Sequence, residues 1–154
     1  MKTIDSITAQ GLHTLCMNKK IAMPESYWAW RRDSNLYMSG ERRYFLYLNF
    51  AYHHPELEPP GPEKVDGIKI IRAYTLDELM VWLPGSIERK DKATSNFKVF
   101  HISLQRDGKY FYVSYERYSS SGSLDYEGQC QNENPANAAC EMLIYLIGKD
   151  LLTK

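Results

Sequence analysis

Hydrophobic and polar residues alternate along two neighbouring stretches in the second half of the chain. Residues 97–104 and 109–118 follow a period of two, which is the spacing of a half-buried β-strand. Asp107-Gly108 between them is a turn signal. We predict a β-hairpin with its link at residues 105–108, followed by a loop over SSSGSLDYEG (119–128). The face expected to join the core carries Phe100, Ile102, Leu104, Phe111, Val113 and Tyr115.

Helical signals are clearest near the end of the chain. Asn134 is a good N-cap, Pro135 suits the first helical position, and apolar residues then recur at helical spacing from residue 136 to residue 147. The sequence TLDE at 75–78 is a capping box, and it predicts a shorter helix that Pro84 ends. The helix near the end of the chain has a broad apolar stripe, so we expect a sheet to pack against it.

The first part of the chain has weaker patterns. Apolar spacing predicts a helix over residues 4–19, and the proline at the start of residues 24–33 predicts a second one. Aromatic and branched residues predict strands at 36–39, 43–52 and 68–74. These elements together indicate an α+β fold, in which antiparallel sheet segments pack against helices.

A proline-rich stretch divides the chain. Residues 53–67 hold four of the seven prolines, which exclude a helix or a central strand, so we predict a loop or linker there. It separates a helix–helix–hairpin part (1–52) from a strand–helix–hairpin–helix part (68–154). The strands at 43–52 and 109–118 are alike, and each is expected to follow a helix with a tryptophan. The two parts are therefore candidates for two related α-β-β units within one domain or two.

Composition limits the kinds of partner. The chain has 19 basic and 19 acidic residues and no net charge, whereas proteins that bind phosphates usually have a basic excess. The three cysteines lack metal-site spacing, which is typical of a reducing compartment. No signal peptide, membrane span, catalytic motif or cofactor motif is recognisable. We expect a cytoplasmic protein without cofactor, metal or membrane contact. The missing motifs favour a non-enzyme, and a small hydrolase is kept as a further alternative because an active site need not have a local motif.

Two groups of residues are candidates for binding. Tyr110 and Tyr112 lie on the second face of the hairpin, where we expect them to pair across the strands with Val99 and His101. The same rings could contact another protein, or stack on bases as in the RNA recognition motif. Residues 112–115 resemble the second half of that family's signature, but the first half departs from it.

The other candidate group lies in the first part of the chain. Trp28 with Arg31 and Arg32 could form a cation–π or binding surface, although a tryptophan inside the core is the ordinary alternative. Residues 1–52 carry a net charge of +3, and Arg31, Arg32, Arg42 and Arg43 could form a basic patch there, with an ordinary solvated surface as the alternative. We rank nucleic acid behind protein, or a second copy of this chain, as the partner.

Several local patterns between residues 75 and 147 resemble one group of known proteins. They are Asp77-Glu78-Leu79 to Trp82-Leu83-Pro84, the Asp107-Gly108 hairpin with Tyr112-Val113-Ser114-Tyr115, and the Asn134-Pro135-Ala136 helix with Ala138. Small proteins of gut-bacterial phages and prophages are similar over this half of the chain. No activity is assigned to that group, so no site residue carries over. The resemblance implies an accessory protein of a mobile element inside a bacterial cell, and we expect it to act by binding another protein.

Overall fold

The computed structural model describes residues 3–22, 28–32, 44–48, 70–91 and 94–152. Helices and antiparallel strands confirm the predicted α+β class. The described elements are α1 (Ser6–Lys19), β1 (Trp28–Arg32), β2 (Tyr44–Leu48), β3 (Ile70–Ala73), α2 (Leu76–Trp82), β4 (Ser86–Lys90), β5 (Phe97–Asp107), β6 (Tyr110–Tyr118), β7 (Leu124–Asn132) and α3 (Pro135–Gly148).

Four strands follow one another as an antiparallel sheet in the order β4-β5-β6-β7. The predicted hairpin is its centre, but its link is shorter than expected, because Asp107 pairs with Tyr110 across Gly108 and Lys109. Gly108 has a φ of 58°, a conformation that glycine adopts at little cost. The tight link therefore moves the register, and Tyr112 lies opposite Gln105 rather than His101.

Strand β7 corrects the predicted loop at 119–128, since its residues from Leu124 onward are paired with β6. Its sequence, LDYEGQCQN, has few apolar residues, so its own alternation is weak and the pairing supplies the structure. A β-bulge interrupts the pairing: Tyr115 pairs with Gly128 and Glu116 pairs with Tyr126, which leaves Glu127 as the extra residue.

A second sheet has the order β2-β1-β3, again antiparallel. Strand β1 shows that the helix predicted over 24–33 is wrong for residues 28–32, where pairing with two neighbours overrides the local helix-start signal. The strands predicted around 44–48 and 70–73 are confirmed. The predicted strand at 36–39 and the proline-rich segment 53–67 lie outside the described residues.

The two strands that resemble each other in sequence have different settings. Strand β2 lies at the edge of the three-stranded sheet, whereas β6 lies inside the four-stranded sheet. Trp30 belongs to strand β1 and Trp82 to helix α2, so the tryptophan-bearing helix expected before both strands precedes only one of them. The structure therefore gives no support from helix position to a repeated α-β-β unit.

Helix α3 is the centre of the core. Nine of its residues are buried, and Ile4, Leu12 and Cys16 at the start of the chain belong to the same hydrophobic cluster. Asn137 of α3 accepts a hydrogen bond from the Asp5 amide (2.8 Å) and donates one to the Asp5 carboxylate (2.5 Å). This pair satisfies the buried side-chain amide of Asn137 where the N-cap of α1 meets α3.

Candidate binding surface on the sheet

The four-stranded sheet has an inner face, which packs against α3, and an outer face. Among the residues that the structure describes, no element packs over the outer face. Because paired residues share a face, the register assigns every side chain to one side. The outer face carries Ser86, Glu88 and Lys90 of β4, Phe97, Val99, His101, Ser103, Gln105 and Asp107 of β5, Tyr110, Tyr112, Ser114, Glu116 and Tyr118 of β6, and Leu124, Tyr126, Gln129 and Gln131 of β7.

Four large apolar side chains meet at one end of this face, and we call them the apolar corner. They are Phe97 (66% exposed), Val99 (40%), Tyr118 (77%) and Tyr126 (50%). Extending the β5–β6 register by two residues from the His101–Glu116 pair brings Val99 opposite Tyr118. Single exposed apolar residues are normal on a protein, whereas these four lie together on adjacent strands as one exposed apolar group.

Polar residues complete the surface next to the apolar corner. One row crosses all four strands, from Ser86 through His101 and Glu116 to Tyr126. His101 and Glu116 lie on either side of the seam between β5 and β6. Glu88 and Lys90 lie on the same face at the β4 edge. This end of the outer face therefore carries the charged side chains Glu88, Lys90 and Glu116 beside the apolar corner.

The predicted tyrosines lie on the same face, towards the hairpin link. Tyr110 and Tyr112 are half-buried and lie opposite Asp107 and Gln105, so their predicted pairing with Val99 and His101 is wrong. The Lys109 ammonium lies 5.0 Å from the centre of the Tyr110 ring. Lys109 also donates to Glu133 (2.5 Å), a bond that raises the pKa of Lys109.

The other predicted group is in a different sheet. Trp28, Arg31 and Arg32 lie on β1, which pairs with β2 and β3, and their side chains lie outside the described residues. The same topology does not support the resemblance to an RNA recognition motif. For that resemblance, β3 would have to pair within the sheet that contains the hairpin, whereas it pairs with β1 in the other sheet.

Charged groups on the inner face form mutual pairs. Arg117 donates to Asp125 (2.8 Å), and its guanidinium lies 5.6 Å from the centre of the Phe100 ring. Arg89 pairs with Glu127, the bulged residue of β7. Both cations are neutralised by carboxylates at the rim of the core. These two pairs stabilise the end of the sheet.

The three cysteines all lie within the described residues, and no disulfide joins them. Cys16 and Cys140 are buried, and Cys130 of β7 is half-buried. Burial, with a smaller effect from the Glu141 carboxylate, raises the pKa of the Cys130 thiol to about 11. Burial also raises the pKa of Cys140. Since the thiolate is the nucleophile, neither environment activates its cysteine.

Metal ligands do not cluster in the part of the chain that the structure describes, where no group of three or more His, Cys, Asp or Glu side chains could hold an ion. None of the described helices is long and apolar enough to cross a membrane. Comparison of the chain with protein-family models, with curated proteins and with solved structures finds no match. The geometry of the outer face is therefore the observation from which a function can be argued.

Sequence reasoning missed most of the apolar corner. Continuing the alternation of β6 from Tyr112 by six residues leads to Tyr118, and continuing that of β5 back from Val99 by two residues leads to Phe97, so the signal for these two was present. Tyr126 could not be found in this way. It lies in a strand that had been predicted as a loop, and the bulge beside it changes which side it faces.

Proposed function

We propose that this protein is a non-enzymatic accessory protein that acts by binding another protein through the outer face of its four-stranded sheet. The resemblance to phage and prophage proteins supports a mobile element in a bacterial cell as its setting. The apolar corner is the observation that carries the proposal. Tyrosine and phenylalanine are enriched in protein interfaces, where they bury large areas at low cost in side-chain entropy.

Charge on the outer face supports protein over nucleic acid as the partner. The acidic side chains on this face are Glu88, Asp107 and Glu116, and Lys90 is the basic one among the strand residues assigned to it. Lys109 at the hairpin link is already paired with Glu133. A face with this excess of carboxylates repels phosphates, and the binding of single strands depends on a basic groove beside the rings.

A crosslinking experiment tests the proposal. A photoreactive phenylalanine analogue is placed at Tyr126 in the full chain, in the cells that naturally produce it, and illuminated. The matched control places the same analogue at Val81, which is 88% exposed on α2, a helix that packs against α3. We expect a defined protein adduct from position 126 and none of comparable yield from position 81.

Three results would contradict the proposal. The first is the absence of any adduct from position 126, and the second is equal adducts from both positions. The third is a position-126 adduct to nucleic acid, seen as sensitivity to nuclease rather than to protease, which would support the alternative of a single-strand binder. Replacing Tyr118 by Ser should reduce the protein adduct, because it removes part of the corner without touching the crosslinking site.

A further inference from the structure

We infer that the apolar corner binds an arginine of the partner protein, carried on a segment in which apolar residues flank it. This inference rests on the proposed function, and it names the chemistry of the partner. It depends on the position of a carboxylate between exposed rings, on the absence of a cation from the described residues beside it, and on a filled example of the same arrangement in the same sheet.

Glu116 lies between two exposed aromatic rings of the corner. It is directly opposite Tyr126 of β7, which is 50% exposed, and two residues before Tyr118 on β6, which is 77% exposed. Opposite residues in a sheet have Cβ atoms about 4.5–5.5 Å apart, and alternate residues of one strand are about 7 Å apart on the same face. One guanidinium can therefore contact a ring and the carboxylate at the same time.

The carboxylates beside the corner have no cationic partner among the residues that the structure describes. Glu116 accepts from the Ser114 hydroxyl (3.3 Å), a neutral donor, and its contacts within the described residues include no ion pair with His101 opposite it. Glu88, on the same face of β4, also forms no ion pair in the described part of the chain. Lys90 lies two residues further along β4 and pairs with neither carboxylate. The corner therefore presents negative charge that a basic partner matches.

The inner face of the same sheet shows this arrangement with its cation in place. Arg117 donates to the Asp125 carboxylate (2.8 Å), and its guanidinium lies 5.6 Å from the centre of the Phe100 ring. A ring, a carboxylate and an arginine are thus held together by neighbouring strands. At Glu116 the strands bring together the rings and the carboxylate, and the described residues supply no arginine. We expect the partner to supply it.

Arginine fits the corner better than lysine does, and apolar residues fit beside it. A guanidinium is planar, so it stacks on a tyrosine ring while it donates to a carboxylate, whereas an ammonium is a compact and strongly hydrated charge. Phe97 (66% exposed) and Val99 (40%) lie on β5 and offer apolar area to the residues that flank the arginine. An acidic segment would instead meet Glu88 and Glu116, and like charges repel. The corner therefore selects a basic and apolar segment over an acidic one.

Titration of the nitrogen-15-labelled full chain, followed by NMR, tests the inference with two tripeptides that are blocked at both ends. One has arginine between two leucines. The other has citrulline in its place, which keeps the length and the planar end group but has no charge. We expect the arginine peptide to shift the backbone amides of Glu116, Tyr118 and Tyr126 with a Kd on the order of 1–10 mM, as suits three side chains on an exposed surface. The citrulline peptide should bind at least about fivefold more weakly, because it loses the ion pair and the cation–π contact.

Substitutions at the corner show which groups bind the peptide. Glu116→Gln keeps the size of the side chain and removes its charge, so it should weaken binding of the arginine peptide about threefold or more and leave binding of the citrulline peptide unchanged. Tyr118→Leu keeps an apolar side chain and removes the ring, so it should also reduce the preference for arginine. The spectrum of each variant reports whether it folds, and Glu88→Gln on the edge strand replaces Glu116→Gln if the latter does not fold.

Asp107→Asn is the matched control for charge. It removes the same charge from the same face, but opposite Tyr110, which is six residues or about 20 Å from Glu116 along β6. The Tyr110 ring already has the Lys109 ammonium 5.0 Å from its centre. This variant should leave the Kd of both peptides unchanged.

The inference is overturned if no amide of the corner shifts at up to about 20 mM arginine peptide. It is also overturned if the citrulline peptide binds as tightly, or if Asp107→Asn weakens binding as much as Glu116→Gln does. In each of these cases, a protein adduct from position 126 would leave the proposed function standing, with a partner of different chemistry. Peptide binding without any such adduct would instead contradict the proposed function and leave the corner as an arginine-binding surface.

Discussion

A methyl group added at Gly128 would meet the ring of Tyr145. A Cβ built there lies 2.7 Å from Cε1 of that ring and 3.1 Å from Cδ1 and Cζ, whereas carbon atoms in contact are normally about 3.5–4.0 Å apart. The ring is held in place, since the Tyr145 hydroxyl donates to the Glu127 carbonyl (2.6 Å). Gly128→Ala must therefore move the ring or the strand.

The expected loss of stability in Gly128→Ala follows from the contacts that the Tyr145 ring loses when it moves. Moving it by about 1 Å breaks the hydrogen bond to Glu127, which is worth about 0.5–1.5 kcal/mol, and overpacking typically costs about 1–3 kcal/mol. Replacing a glycine by alanine also lowers the conformational entropy of the unfolded chain, which offsets about 0.4–1 kcal/mol of this cost. We expect Gly128→Ala to lower the free energy of unfolding by about 1–3 kcal/mol.

Gly85→Ala is the matched control, because a Cβ at Gly85 has no atom within 4 Å and its φ is not positive. It should be neutral or slightly stabilising. Urea denaturation followed by circular dichroism measures both variants. The clash is assigned to the ring by repeating Gly128→Ala in a Tyr145→Ala background, where its cost should largely disappear. A cost equal to that of Gly85→Ala, or one that persists without the ring, would refute the reasoning.

Two further predictions concern the core and pH. Asn137→Ala removes both hydrogen bonds to Asp5 at a buried site, so it should lower the free energy of unfolding by about 2 kcal/mol. Thr94→Ala, at an exposed position, is the control and should change it by less than about 0.5 kcal/mol in the same urea titration. For Cys130, whose thiol pKa rises from 9.0 to about 11 on folding, the unfolded chain loses its proton first as pH rises. The contribution of this group to stability is therefore complete below pH 9 and is lost as the pH rises towards 11. The urea midpoint should drop more between pH 8.5 and 10.5 in the native protein than in Cys130→Ala. Equal drops in the two proteins would show that the thiol makes no contribution.

Elements with strong local signals could be predicted from the sequence. The N-cap Asn134 accepts from the Ala136 amide, as its position before Pro135 implies. The capping box has both of its hydrogen bonds, from the Glu78 amide to the Thr75 hydroxyl and from the Thr75 amide to the Glu78 carboxylate. These contacts involve residues within three positions of each other, so the sequence alone contains the information. The central hairpin was predictable for the same reason, because its turn and alternation are local.

Elements that depend on distant partners could not be predicted in this way. Strand β4 (SIERK) is short and charged, β7 is polar, and β1 follows a proline that favours a helix start. Each is a strand because a neighbour supplies hydrogen bonds, and that neighbour is not visible in a local window. Tyr110 and Tyr112 were placed on the correct face by alternation, but not at the correct pairing positions.

The bulge in β7 links the core to the outer face. Gly128 faces the inner side, so if Glu127 were paired as an ordinary strand residue, strict alternation would turn Tyr126 inwards as well. The bulge reverses the faces beyond it, so that Tyr126 joins the apolar corner and Asp125 turns inwards to pair with Arg117. Tyr145 holds this bulge from the core side through the Glu127 carbonyl. The unpaired position of Glu127, fixed by a helix in the core, thus sets which faces carry the inner ion pair and the exposed tyrosine on which the proposed binding by the outer face depends.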